Sequence, residues 1–231
     1  MGDLADGWSA QGLIVLELIL RRDARAPLNV LCLGAHSDDI EIGCGGTMLH
    51  LTRRYTAAAV RWIVFSAPSD QRRDEAMAGA HRFLERAAEW DVVVQDFRES
   101  VFPYTGALIK EYFEALKAGP EPDLVFTHYR QDLHQDHRLI GELTWNTFRR
   151  SLILEYETPK WDGDLGQPNC YVRLPDEIAE AKIGALCEIF ASQRSKPWFT
   201  AETFRALMRL RGVESNAGFA EAFYARKLVL G

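Results

Sequence analysis

The chain alternates short apolar runs with longer amphipathic stretches. Val30-Leu31-Cys32-Leu33, Trp62-Ile63-Val64-Phe65, Val92-Val93-Val94, Leu124-Val125-Phe126 and Leu152-Ile153-Leu154 are uninterrupted apolar runs flanked by polar or turn residues. Runs of this length read as strands buried on both faces of a parallel sheet. They place strands over residues 29–34, 59–67, 92–94, 124–127 and 152–154. The stretches between them predict helices over 47–55, 71–88, 106–118 and 138–150. Strand followed by helix, repeated, is the pattern of the α/β class. It predicts a Rossmann-like three-layer fold around a mostly parallel sheet.

After Tyr156 the pattern loosens. Residues 158–168 hold Pro159, Gly163, Gly166 and Pro168 and read as a loop or lid. A short strand over 171–174, a helix from Pro175-Asp176 to about residue 193, a helix over 200–211 and a terminal strand within 220–230 follow. There is no internal repeat or low-complexity run. The expectation is one domain over residues 1–231, with 1–28 as an N-terminal helical extension and 157–231 as a C-terminal group of elements.

Composition narrows the classes. A length of 231 residues suits a single α/β domain, and 47% hydrophobic residues can fill its core. A net charge of −6 argues against nucleic acid as a partner. None of the four cysteines forms a C-x-x-C pair, which fits reduced thiols and a cytoplasmic location. Leu13 to Leu20 is apolar apart from Glu17, but no basic residue precedes it and no small-residue cleavage site follows. It is too short to span a bilayer. Residues 9–22 read as a helix that docks on the sheet or on a second subunit, so a homo-oligomer is open.

The chemistry concentrates in two stretches. Ala35-His36-Ser37-Asp38-Asp39-Ile40-Glu41 follows the first strand, at the sheet edge where open α/β folds bind ligands. Asp38 or Asp39 also suits a helix cap there. Gly43-Cys44-Gly45-Gly46-Thr47 then reads as a turn that lets the backbone pass close to a site. It does not match the dinucleotide fingerprint G-x-G-x-x-G. The second stretch, His128-Tyr129-Arg130-Gln131-Asp132-Leu133-His134-Gln135-Asp136-His137, reads as a loop after the fourth strand. Two clusters at two strand ends can converge on one site. His50 and His81 lie on helices away from both.

Together the two stretches resemble the LmbE-like, or PIG-L-type, metal-dependent N-deacetylase family. Its motifs run Ala-His-Pro-Asp-Asp-x-Glu and His-x-x-Asp-x-His-x-Asp-His. Here Ser37 replaces the usual Pro and Gln135 a frequent one, and neither change removes a reacting group. The resemblance implies an open metal site held by His36, Asp39 and His137. The ion it implies is Zn2+, although Fe2+ shares such ligands. It implies Asp38 as general base and His134 as the group that stabilises the oxyanion. Asp136 would orient His134 and raise its pKa, and His128 and Asp132 would fix the loop or the ligands.

The reaction implied is hydrolysis of the N-acetyl group of an amino sugar or glycoconjugate, with residues 157–231 on the substrate side. Arg72, in an Arg72-x-x-Glu75 pattern that fits the family, Asp96, Trp161 and Tyr171 are the expected substrate contacts. Arg72 equally suits an ion pair with Glu75 one helical turn on. Two rivals stand beside this reading. Two histidines and a carboxylate also describe the triad of non-haem iron oxygenases, and the fold also suits a catalytically inactive sugar-binding module.

Overall fold

The computed structural model describes residue 17 and residues 27–55 and 58–229. The helix expected over 9–22 lies outside the described residues, except for Glu17, whose carboxylate meets Arg173 at 2.9 Å. In chain order the strands are β1 (Leu28–Gly34), β2 (Ala58–Val64), β3 (Glu89–Val94), β4 (Leu124–His128), β5 (Leu152–Tyr156), β6 (Cys170–Leu174) and β7 (Phe219–Tyr224). The helices are α1 (Asp39–Arg54), α2 (Asp70–Leu84), α3 (Gly106–Lys117), α4 (Gln135–Thr147), α5 (Asp176–Ile189) and α6 (Ala201–Glu214).

The seven strands form one sheet in the order β3-β2-β1-β4-β5-β7-β6. The first five pair in parallel. β7 then runs antiparallel to both β5 and β6. Helices cover both faces, so the three-layer α/β reading holds. One apolar core, with Phe83, Phe190 and Met208, lies under α1, α2, α5 and α6. The other, with Phe65, Phe113 and Ile140, lies under α3 and α4.

Strand order reverses between β1 and β4. Crossovers leave in opposite directions there, which opens a crevice at the carboxyl ends of those two strands. The two polar stretches of the sequence follow β1 and β4, so topology alone brings them face to face.

Two helices begin earlier than the pattern predicts. α1 starts at Asp39 rather than residue 47, so Gly43, Gly45 and Gly46 are helical and form no turn. Their role is close approach. A Cβ on Gly43 would stand 2.1 Å from Tyr156 Cδ2, and one on Gly45 would stand 2.6 Å from Phe83 Cε1. Without side chains at these positions, α1 settles onto β5 and α2. Tertiary contact here overrides the weak helix propensity of glycine. Likewise α4 starts at Gln135, so Asp136 and His137 sit in a helical first turn rather than a loop.

Candidate metal and catalytic site

His36 follows β1, and its main-chain N–H donates to Asp39 Oδ2 at 2.7 Å. That short turn holds the Asp39 carboxylate beside the ring it shares the motif with. Asp38 occupies the N-cap position of α1 without capping it by its side chain. Instead Asp38 Oδ1 accepts from Arg72 Nη2 at 2.6 Å. The helix-cap reading therefore fails for the Asp38 carboxylate.

From β4, His128 is fully buried and its Nε2 receives the Ala35 N–H at 2.9 Å. The bond ties the end of β4 to the end of β1. Asp132 spans the next turn. Its Oδ1 accepts from the His134 N–H at 2.8 Å, and its Oδ2 lies 3.0 Å from His137 Nδ1. His134 is the N-cap of α4, where its Nδ1 accepts the Asp136 N–H at 3.3 Å.

The outcome is a pair of imidazoles turned inward. His36 Nε2 lies 3.2 Å from Asp136 Oδ2, while His137 Nδ1 faces Asp132. The inner nitrogens, His36 Nδ1 and His137 Nε2, stand 3.2 Å apart. The Asp39 carboxylate lies beside both, Oδ2 at 3.3 Å from the first and Oδ1 at 3.5 Å from the second. His134 stands beside them, its ring centroid 5.0 Å from that of His36 and 4.5 Å from that of His137.

Two nitrogen lone pairs at this separation repel unless a proton or a cation lies between them. Burial opposes charge on His36, but Asp39 and Asp136 outweigh it and raise its pKa to about 10. Burial and the neighbouring His128 push His137 down to about 3. Burial also opposes the charge of Asp39, Asp132 and Asp136, yet their imidazole partners hold all three below the ordinary carboxylate range. The cluster is a preformed set of inward-facing donors, backed by carboxylates, that favours a cation. Donors about 3.3–3.5 Å apart match neighbouring corners of a tetrahedron with bonds of about 2.0–2.2 Å. Outer nitrogens bound to carboxylates are the usual support of metal-ligating histidines. The donor set thus fits a small divalent metal.

Asp136 departs from expectation. Its carboxylate serves His36, not His134, because Oδ2 also accepts the Ser100 N–H at 2.5 Å and Oδ1 the Phe102 N–H at 3.1 Å. These bonds fix it on the β3–α3 side. His134 accordingly has a lowered pKa, through burial and the adjacent charge of His36. With Nδ1 accepting from the backbone, the neutral ring carries its N–H on Nε2.

The expected substrate contacts fare unevenly. Arg72 reaches the site, but its guanidinium is engaged by Asp38, Glu75 and Ser192. Asp96 is exposed at the end of β3 and bridges to Ser66 through the backbone. Trp161 is 72% exposed on the loop after β5. Tyr171 lies on edge strand β6, three strands from β4, and its hydroxyl donates to the Pro168 carbonyl at 3.0 Å. The structure brings neither Asp96 nor Tyr171 into the cluster.

Two residues of the loop after β5 went unread in the sequence. Lys160 Nζ lies 3.0 Å from Asp132 Oδ2 and 2.6 Å from Asp164 Oδ2, and Asp164 Oδ2 accepts the Leu133 N–H at 2.7 Å. They fasten this loop to the turn that carries Asp132. A single Lys in a Pro- and Gly-containing loop offers no pattern that reveals such a partner.

With this geometry, the chain matches the PIG-L family, GlcNAc-PI de-N-acetylase, over residues 31–148, more than half of its length. It belongs to that family, whose members depend on a metal, and is a hydrolase of amide C–N bonds. It is 26% identical over 188 residues to "Uncharacterized deacetylase YaiS" of Escherichia coli K12, covering 74% of this chain and 96% of that protein. Its fold is similar to that of N,N'-diacetylchitobiose deacetylase from Pyrococcus horikoshii (TM-score 0.60, 20% identity, 87% of this chain and 86% of that one). It is more similar in fold to GalB, the 4-carboxy-2-hydroxymuconate hydratase of Pseudomonas putida KT2440 (TM-score 0.70, 16% identity, 88% of this chain and 98% of that one). One fold thus serves a deacetylase and a hydratase, and the fold does not choose the reaction. Among the described residues no helix is long and apolar enough to cross a membrane.

Proposed function

We propose that this chain is a zinc-dependent N-deacetylase acting on an N-acetylated amino sugar or amino-sugar conjugate, with Asp38 as general base. The observation that carries the reading is the inward-facing triad of His36, Asp39 and His137 with an unligated carboxylate, Asp38, next to it in the chain. Family membership sets aside the oxygenase alternative. The sugar substrate draws support from the chitobiose deacetylase that shares the fold.

His36 Nδ1, His137 Nε2 and Asp39 would hold the ion, with His36 and His137 steadied by Asp136 and Asp132. When bound, the ion supplies Lewis acidity toward water and the amide oxygen. Asp38 then accepts the proton of the attacking water. Arg72 on its Oδ1 leaves Oδ2 for that task. The Nε2–H of neutral His134, whose ring stands beside those of His36 and His137, would donate to the oxyanion as it develops. The proton held on Asp38 returns to the leaving amine, which restores the base. Phe102, fully buried, stacks against His36 with ring centroids 6.1 Å apart and helps hold that ring in place.

The test is acetate release by zinc-loaded protein from N-acetyl amino sugars presented free, nucleotide-linked and glycosidic. Asp38→Asn should retain zinc and lose about 10²–10⁴ of the rate. No release from any of them, with zinc bound, overturns the substrate class. Near-normal turnover in Asp38→Asn overturns the base.

A further inference from the structure

The guanidinium of Arg72 lies between two carboxylates. Its Nη2 donates to Asp38 Oδ1 at 2.6 Å and its Nη1 to Glu75 Oε2 at 3.0 Å. All three side chains are nearly buried, with 12% of Arg72, 7% of Asp38 and 6% of Glu75 exposed. Glu75 is itself held from the far end of the chain. In the 3-10 turn Ala191–Gln193, the Ser192 N–H donates to Glu75 Oε1 at 2.8 Å and the Ser192 hydroxyl to Oε2 at 2.6 Å. The same hydroxyl oxygen lies 3.3 Å from Arg72 Nη1, and Gln71 Nε2 lies 3.3 Å from Glu75 Oε1.

We infer that Glu75 and Ser192 are positioning residues for the hydrolytic reaction: they clamp Arg72 so that it aims the Asp38 carboxylate. The inference deepens the function proposed above and rests on it for the role of Asp38. Its logic is geometric. An aspartate has two side-chain torsions, and one charge-assisted bond to Oδ1 leaves the carboxylate free to swing with its donor. An arginine is longer and looser still. Here its planar fork is fixed on the opposite side by a second carboxylate, and that carboxylate is fixed by a backbone N–H. The chain of bonds ends on backbone, where no further rotamer is available to relax. It also explains why a turn 154 residues beyond Asp38 packs against α2 at all.

A residue that bound substrate through Arg72 and one that aimed the base through it differ in what they change. Loss of a substrate contact raises KM. Loss of aim lowers kcat and leaves KM alone. Glu75→Ala and Ser192→Ala, each loaded with zinc to the wild-type level, should keep KM. The Glu75 variant should lose about 10²-fold in kcat, the scale of a misplacement near 1 Å, with Ser192→Ala losing less because its N–H remains. Guanidinium ion at a non-denaturing concentration should restore part of kcat to Arg72→Ala and none to Arg72→Ala/Glu75→Ala. A purely structural role gives no such rescue. Wild-type kcat in both folded single variants, or a rise confined to KM, overturns the inference. Should Glu75→Ala not fold, Ser192→Ala decides by the same split. If the wild-type enzyme releases no acetate, it is the function that fails. A crystal structure of the Glu75 variant then decides the inference separately, because Arg72 and Asp38 in unchanged positions overturn it.

Discussion

His36 Nδ1 and His137 Nε2 face each other at 3.2 Å, and the outer nitrogen of each ring is bound to a different aspartate. The two rings come from opposite sides of the topological switch point, so this contact exists only in the folded chain. Its stability depends on what sits between the nitrogens and on the carboxylates behind them.

The carboxylate behind His137 is the sharper test. Asp132→Asn keeps the shape but removes the charge that orients and polarises the ring. Zinc affinity should fall about 10–100-fold, the usual effect of losing such a partner. Competition with a chromophoric chelator measures it. Unchanged affinity would mean that Asp132 serves the turn alone.

The loop after β5 should report on the same carboxylate. Lys160 is 8% exposed at its side chain and sits between Asp132 and Asp164. Lys160→Met leaves two buried carboxylates without their cation, at a cost of about 3–5 kcal/mol. Chemical denaturation of the metal-free protein should show that loss, and proteolysis should cut within residues 158–168 sooner than in wild type.

Acid and alkali should both weaken the metal-free protein. His137 has a folded pKa of about 3, below the ~6.5 of an unfolded histidine. As pH falls from ~6.5 the unfolded state binds a proton that the folded state refuses, so stability drops down to about 3. The lowered aspartates add to the loss below their ordinary pKa of ~3.9. His36 has the opposite sign. Raised to about 10, it stabilises fully below ~6.5, and that contribution is lost as pH climbs through 10. The cluster's own contribution to the Tm of the metal-free protein should therefore be greatest near ~6.5. An unchanged pH profile of Tm when His36 and His137 are both replaced by Gln refutes these opposed shifts.

Gly43→Ala tests the seating of α1. Its Cβ would enter the ring of Tyr156, a fully buried residue whose hydroxyl donates to the Leu33 carbonyl at 2.7 Å. Overpacking of this kind costs about 1–3 kcal/mol. Because Asp39 opens the same helix, zinc affinity should fall along with Tm. A drop in Tm with full affinity would show that the first turn holds its place without the helix behind it.

Sequence alone determined the class of this fold and the two stretches where its His and Asp residues gather. Five apolar runs separated by amphipathic stretches leave a parallel sheet with helices on both faces as the simple way to bury them. The His and Asp residues at two strand ends are legible because buried polar groups in such a pattern demand partners. Family resemblance picks out the same positions. Tertiary structure decided everything that depends on approach across the chain. Glycines 43, 45 and 46 read as a turn because local propensity says so, and became helix because α1 needs their bare faces against Tyr156, Phe83 and Leu174. Asp136 reads as a partner of its neighbour His134 and turned out to serve His36, since the N–H groups of Ser100 and Phe102 aim its carboxylate that way. Lys160 and Ser192 carry no local signal that names their partners, and Glu75 reads only as an ion-pair partner for Arg72 one turn back. Their meaning lies in charges and hydrogen bonds that meet only after the loop after β5 and the turn after α5 have folded back onto the switch point, where burial makes each unpaired group costly.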